Sequence, residues 1–185
     1  INKAPARLDL KKMEDVNAHY IRQASEAELL HRIQAFLPFL EPDGAEGGPQ
    51  LAQRFAAVGW NRLAAALPSL KERAKTLKEL VDGAGYLTVA RPLVLDDKAA
   101  KALPQDARAL LGKLLPRLEA APDWEVGALE GLVRHFAEAE GAKLGAVAQP
   151  LRAALTGKTV SPPVFDVMAA LGREEALARI LDQAS

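Results

Sequence analysis

Cysteine is absent from this chain of 185 residues. Its absence excludes a disulfide and a thiolate zinc site, and fits a cytoplasmic location. Aromatic residues make up only 5% of the chain, β-branched residues are sparse, and alanine and leucine dominate. That balance disfavours sheet and favours helix. No apolar run approaches the ~20 residues that span a bilayer, so no membrane partner is expected. No signal peptide opens the chain. Its first five residues, Ile1-Asn-Lys-Ala-Pro5, read as a cut connector, and the chain is expected to be a fragment. The three histidines, His19, His31 and His135, stand in no metal-ligand spacing and read as helix-surface residues. There is no glycine-rich phosphate loop after a strand and no nucleophile elbow. The acidic pairs Asp96-Asp97 and Glu174-Glu175 sit at helix starts, where the helix dipole favours them. No catalytic constellation, cofactor site or metal site is expected in these residues.

What is present is helix punctuation. Leu8, Met13, Val16, Tyr20 and Ile21 form an approximate helical stripe between Leu8 and Gln23. Ser25-Glu-Ala-Glu28 has the pattern of a capping box, opening a helix whose apolar face is Leu29, Leu30, Ile33, Phe36, Leu37 and Leu40. A turn-rich loop covers 41–49. A third helix is expected over 51–67, with Pro68 starting a fourth that reaches Val81 and stops at Gly83-Ala-Gly85. Residues 85–97 carry no helical period and read as an extended connector, dividing the chain into helical subdomains at 1–86 and 87–185. Beyond it, helices are expected from Pro104 to Ala120, from an Asp123 cap to Ala139, and over 144–155 with a kink or break at Pro150. The Asp123 helix has the face Trp124, Leu129, Leu132, Val133 and Phe136. After a loop at 157–161, Ser161 caps and Pro162 starts the first of two short helices divided at Gly172. The fold expected is all-α, two packed bundles in line.

The net charge is zero, from 24 basic and 24 acidic residues, yet the charge is segregated. Residues 62–78 hold five basic side chains and one acidic one, and residues 143–165 hold three basic and none acidic. Residues 119–140 hold six acidic side chains against Arg134. Lys71, Lys75 and Lys78 lie on one face of the helix expected there, and Arg73 points elsewhere. Arg152 precedes the polar loop Thr156-Gly-Lys-Thr-Val-Ser161. A basic helix edge facing such a loop suits single-stranded RNA, whose splayed bases are read along their edges, often by arginine. From the residues alone, an all-α protein-interaction scaffold with no RNA role stands beside that reading.

Three stretches carry a family resemblance. Met13-Glu-Asp-Val-Asn17 with Tyr20-Ile-Arg22 resembles the segment that follows the catalytic half of glutamyl-tRNA synthetases. Arg73-Ala-Lys-Thr-Leu-Lys-Glu-Leu80 resembles the family's Arg-x-x-Thr-Leu-x-Glu helix. Leu144 to Gly157, followed by Ser161-Pro and Phe165-x-Val-Met-x-x-Leu-Gly172, is similar to the family's C-terminal block. The resemblance covers essentially the whole chain. It implies a stem-contact segment and then a helical cage that grips an anticodon loop. It also implies a catalytic domain N-terminal to this chain, which uses ATP and Mg²⁺ to activate glutamate and charge tRNA-Glu. The two ATP-binding signatures of that domain are not here, and Lys12-Met-Glu-Asp does not qualify. The chain would therefore bind tRNA as a monomer without catalysis of its own.

By position, Arg73 matches the arginine that inspects the third anticodon base, C for glutamate and G for glutamine. Arg152, Ser161 and Val164 match the pocket for the first anticodon bases, and Lys12 and Arg134 match basic positions near the RNA backbone. A relaxed paralogue that accepts tRNA-Gln is the alternative within the family. Two departures stand out: Asp15 replaces the family's aromatic, and Pro162-Pro163 replaces Pro-Gly.

Overall fold

The computed structural model describes residues 10–41 and 47–184. Leu8, the expected connector at 1–5 and most of the expected turn-rich loop (42–46) lie outside the described residues. Among the described residues the chain is helical with no strand: α1 (Leu10–Gln23), α2 (Glu26–Phe36), α3 (Gly48–Val58), α4 (Trp60–Lys71), α5 (Leu77–Gly83), α6 (Asp97–Lys101), α7 (Gln105–Glu119), α8 (Val126–Ala139), α9 (Leu144–Thr156), α10 (Val164–Leu171) and α11 (Arg173–Gln183). Short 3₁₀ turns follow α2 at Leu37–Phe39 and α5 at Gly85–Leu87.

The helices gather into two bundles. In the first, α4 is the centre, with α1, α2, α3 and α5 against it. Leu63, Ala66, Leu67 and Leu70 recur along α4 at helical spacing, and all four are buried. Each buried leucine there is worth about 1.5–3 kcal/mol of transfer free energy. In the second, α8, α9 and α11 pack against α10, and α7 packs against those three. Residues Val164, Phe165, Val167, Met168, Ala170 and Leu171 of α10 are buried, on more than one side of the helix, and α10 packs on α4 of the first bundle as well. Trp124 ties the start of α8 to this helix, its indole N–H donating to the Met168 carbonyl at 3.0 Å, and Arg173 lies over its ring at 5.0 Å.

Several boundaries differ from those the sequence suggests. The helix expected over 51–67 breaks at Gly59, whose φ of 96° ends α3 and begins α4. Phe55 and Trp60 stack across that break with centroids 5.8 Å apart. Pro68 then falls inside α4 rather than at a helix start, and the chain turns at 72–76 before α5. No single helix runs through Lys71, Lys75 and Lys78, so the basic face drawn through them does not form. Thr76 caps α5, its hydroxyl accepting from the Glu79 N–H at 3.1 Å. Ser25 accepts from the Glu28 N–H at 3.2 Å, but the Glu28 carboxylate pairs with Arg32, so half of the expected capping box is made. Glu125 rather than Asp123 occupies the cap of α8, and Pro163 rather than Ser161 that of α10. α9 continues through Pro150. On α1, Ile21 and Ala18 are buried, whereas Met13, Val16 and Tyr20 are exposed.

Gly157 ends α9 in the left-handed region, with φ of 71°. A Cβ there would lie 2.6 Å from the Val94 carbonyl oxygen. Its own carbonyl accepts from the Asp96 N–H at 3.0 Å, so the connector lies against this glycine. Gly157→Ala combines a strained φ with a backbone clash. It is expected to cost about 1–3 kcal/mol of unfolding free energy, read as a lower urea midpoint. A midpoint equal to the wild type's would contradict this packing.

Candidate nucleic-acid interface

The turn at 72–76 and the loop after α9 face each other across the two bundles. The turn begins where α4 stops, and it carries Arg73 in place of a helix position. Polar contacts from α1 fix it. The Asn17 side-chain amide donates to the Lys75 carbonyl at 2.5 Å, and the Lys75 ammonium lies 3.2 Å from the Asp15 carboxylate. Asp15, a departure from the family pattern, thus has a local partner. Lys71 donates to the Ala24 carbonyl at 3.2 Å and to Glu26 at 2.9 Å. This pairing draws the Glu26 carboxyl below its ordinary pKa. Lys78 pairs with Asp82 at 2.7 Å. The three lysines are held in internal contacts, while Arg73 makes no ion pair among the described residues.

The opposite wall grows from the end of α9. Half-buried Arg152 points one Nη1 at the Ser161 carbonyl (3.1 Å), the Ser161 hydroxyl (2.5 Å) and the Pro162 carbonyl (2.6 Å). The buried Thr156 hydroxyl accepts from the Lys158 N–H at 3.2 Å and lies 2.9 Å from the Arg152 carbonyl. These bonds close the 157–163 loop upon the helix that carries it. Arg73 reaches over from the first bundle, its Nη1 donating to the same Ser161 carbonyl at 3.4 Å. Two guanidinium groups therefore meet at one carbonyl. Burial lowers the Arg152 pKa, and the neighbouring Arg73 charge adds to that. Repulsion of this kind is relieved by an anion or by a hydrogen-bond acceptor placed between the cations.

Beside Arg73 lies a cavity of about 540 Å³, which Arg152 reaches only through its bonds to Ser161 and Pro162 in the wall. Its walls include Arg73, Ser161, Thr156, Lys158, Val160, Tyr86, Thr88, Val89, Glu79 and Asp82. Cations, carboxylates, hydroxyls and apolar carbons all face one space, a mixture suited to a nucleobase with a ribose and phosphate attached. Val160, 81% exposed, stands at the wall as an apolar surface. The Tyr86 hydroxyl is buried without a hydrogen-bond partner among the described residues. Its burial, with Asp166 adding to the effect, raises its pKa.

Of the residues singled out from the sequence, Arg73, Arg152 and Ser161 come together. Val164 lies just beyond them but is only 4% exposed, and packs in the core at the start of α10. Lys12 is exposed on α1. Arg134 is exposed on α8, paired with Glu130 at 2.6 Å, and lines no part of the cavity.

The connector that forms the third wall is held by α11. Arg91 makes a two-point contact with Asp182, at 2.9 and 2.8 Å, and donates to the Ala178 carbonyl at 3.1 Å. Sequence reasoning passed over these anchors, and Arg179 with them. The available signal was that Arg179 falls on the α11 stripe of Ala176, Ile180 and Gln183, all buried. A cation in a buried stripe needs carbonyl or carboxylate partners.

A family described as the anticodon binding domain matches residues 28–184. The chain is 52% identical over 183 residues to a glutamate–tRNA ligase of Azorhizobium caulinodans, covering 99% of this chain and 38% of that protein. It is 54% identical over 188 residues to glutamate–tRNA ligase 1 of Xanthobacter autotrophicus, covering 100% of this chain and again 38% of that protein. A crystal structure of a glutamate tRNA ligase from Elizabethkingia meningosepticum in complex with its amino acid superposes with a TM-score of 0.75. It has 25% identity, over 100% of this chain and 34% of that one. The chain thus spans little more than a third of the length of the relatives it matches. Among the described residues no helix is long and apolar enough to cross a membrane.

The Arg91–Asp182 pair carries a pH signature. The hydrogen bond from Arg91 holds the Asp182 carboxyl below its ordinary pKa. A depressed folded-state pKa stabilises the fold above the unfolded value and loses that stability as the pH falls through the folded value. Asp182→Asn should lower unfolding free energy at pH 7 by about 0.5–1 kcal/mol, allowing for solvent screening. The difference from wild type should shrink below about pH 4. Urea denaturation at a series of pH values measures it, and a difference independent of pH would contradict the pairing.

Proposed function

This chain belongs to the anticodon-binding domain family, and from that membership we propose that it is the anticodon-gripping region of a bacterial glutamate–tRNA ligase. The observation that carries the reading is the meeting of Arg73 and Arg152 at the Ser161 carbonyl, beside a cavity of base-bearing size. Arg73, the less committed of the two, is the reader of the third anticodon base. A guanidinium offers a planar fork of N–H donors and no acceptor, so it favours a base edge that presents acceptors. Cytosine shows O2 and N3 on its pairing edge, whereas guanine shows N1–H and N2–H there. Arg152 and Ser161 shape the pocket for the neighbouring bases, with Val164 behind them. Lys12 and Arg134 meet backbone phosphates, contacts that position the RNA without reading it.

In this reading the partner is tRNA-Glu, and a catalytic part of the polypeptide lies N-terminal to this chain. Glutamate activation with ATP and Mg²⁺ belongs to that part. The chain's own residues bind and orient the RNA, and none takes part in the chemistry.

Binding to tRNA transcripts over a salt series tests the proposal. Affinity for tRNA-Glu should fall steeply with salt, since phosphate contacts release counterions. Changing the third anticodon base from C to G should weaken binding about 5–100-fold, and Arg73→Gln should remove most of that preference. Equal binding of the Glu and Gln species by the wild-type chain would point to a relaxed paralogue. Salt-insensitive or absent binding would overturn the RNA reading.

A further inference from the structure

We infer that Arg179, on the last helix and remote from any RNA contact, is a positioning residue that sets the cavity's shape and hence its base discrimination. The inference rests on the anticodon reading above. Arg179 is 1% exposed, the largest of the fully buried side chains. Its Nη1 donates to the Tyr86 and Leu155 carbonyls, each at 2.8 Å, and its Nη2 donates to the Val89 carbonyl at 3.1 Å. Its Nε donates to Glu175 at 2.6 Å, which neutralises the buried charge.

The three carbonyls belong to two different walls. Tyr86 and Val89 line the cavity from the connector. Leu155 immediately precedes Thr156, which lines it from the end of α9 and whose hydroxyl holds the Lys158 N–H. One guanidinium thus bolts the connector wall to the loop wall. Only a planar, multiply donating side chain can serve three carbonyls and a carboxylate at once. Lysine retains the charge but offers a single nitrogen on a flexible stem. Arg91 adds a second, exposed bolt between the same connector and α11, through Asp182 and the Ala178 carbonyl. Both anchors act on the wall rather than on the ligand.

Arg179→Lys separates positioning from bulk stability. If the substitution only lowered the folded fraction, apparent affinities for every tRNA would fall by one factor and their ratio would not move. The positioning role predicts that the ratio of affinities for C and G at the third anticodon position falls at least about fivefold. The salt slope should stay at its wild-type value, because phosphate contacts are untouched. Arg91→Ala, an exposed residue on the same connector, should shift the ratio in the same direction by a smaller factor while remaining folded. A wild-type ratio retained in both variants would overturn the inference while leaving the anticodon reading intact. A wild-type chain with no preference between C and G would overturn this inference by removing the discrimination it explains, whereas salt-insensitive or absent tRNA binding would overturn the anticodon reading and this inference with it.

Discussion

The packing of α10 on α4 is the contact on which the site depends. Arg73 belongs to the turn that follows α4, and Ser161 lies just before α10. Neither residue's bundle could bring them together alone. Once the buried face of α10, from Val164 to Leu171, is seated against α4, the turn and the loop are forced side by side. The apolar interior is therefore what places two cations at one carbonyl. Their repulsion costs the fold something, and it leaves a spot that accepts negative or electron-rich groups.

Near that spot, several of the other cations are engaged in internal contacts. Lys71, Lys75 and Lys78 hold α2, α1 and α5 in place, and Arg108 donates to the Leu103 and Gln183 carbonyls at 3.0 and 2.9 Å. Net charge and even local charge density thus say little about where RNA would sit. Arg73 has no acidic partner among the described residues, and it stands in the wall of a mixed polar and apolar cavity. Rigid walls make such a cavity selective, because a base that cannot meet fixed groups leaves them unpaired at the expense of its own hydration.

The helical class, the acidic start of α6 at Asp96, and the ends at Gly157 and Gly172 were legible because each depends on near neighbours in the chain, whereas the caps of α5, α8 and α10 fall at Thr76, Glu125 and Pro163 instead of where local pattern put them. Gly59 was not, since an isolated glycine inside an apolar pattern reads as a tolerated helix residue until its φ of 96° is seen. With the break at Gly59, Pro68 falls inside α4, and the separate turn at 72–76 dissolves the basic face of Lys71, Lys75 and Lys78. The stripe between Leu8 and Gln23 marks a helix that forms as α1, but a period of 3.6 does not say which neighbour covers it, and Met13, Val16 and Tyr20 remain exposed. Arg73, Arg152 and Ser161 were found through their motifs. The cavity walls at Tyr86, Val89 and Val160, and the guanidinium of Arg179 behind them, arise from contacts between residues about 90 positions apart, which no local pattern encodes.

The most direct test of the account is an NMR titration of the arginine side-chain N–H signals with an anticodon stem-loop. The account predicts that the Arg73 guanidinium signals shift strongly with the loop bearing C at its third anticodon position and much less with the loop bearing G. The Arg179 signals, buried behind the wall, should move little with either. Equal shifts of Arg73 with both loops, or none with either, would contradict base reading at this site.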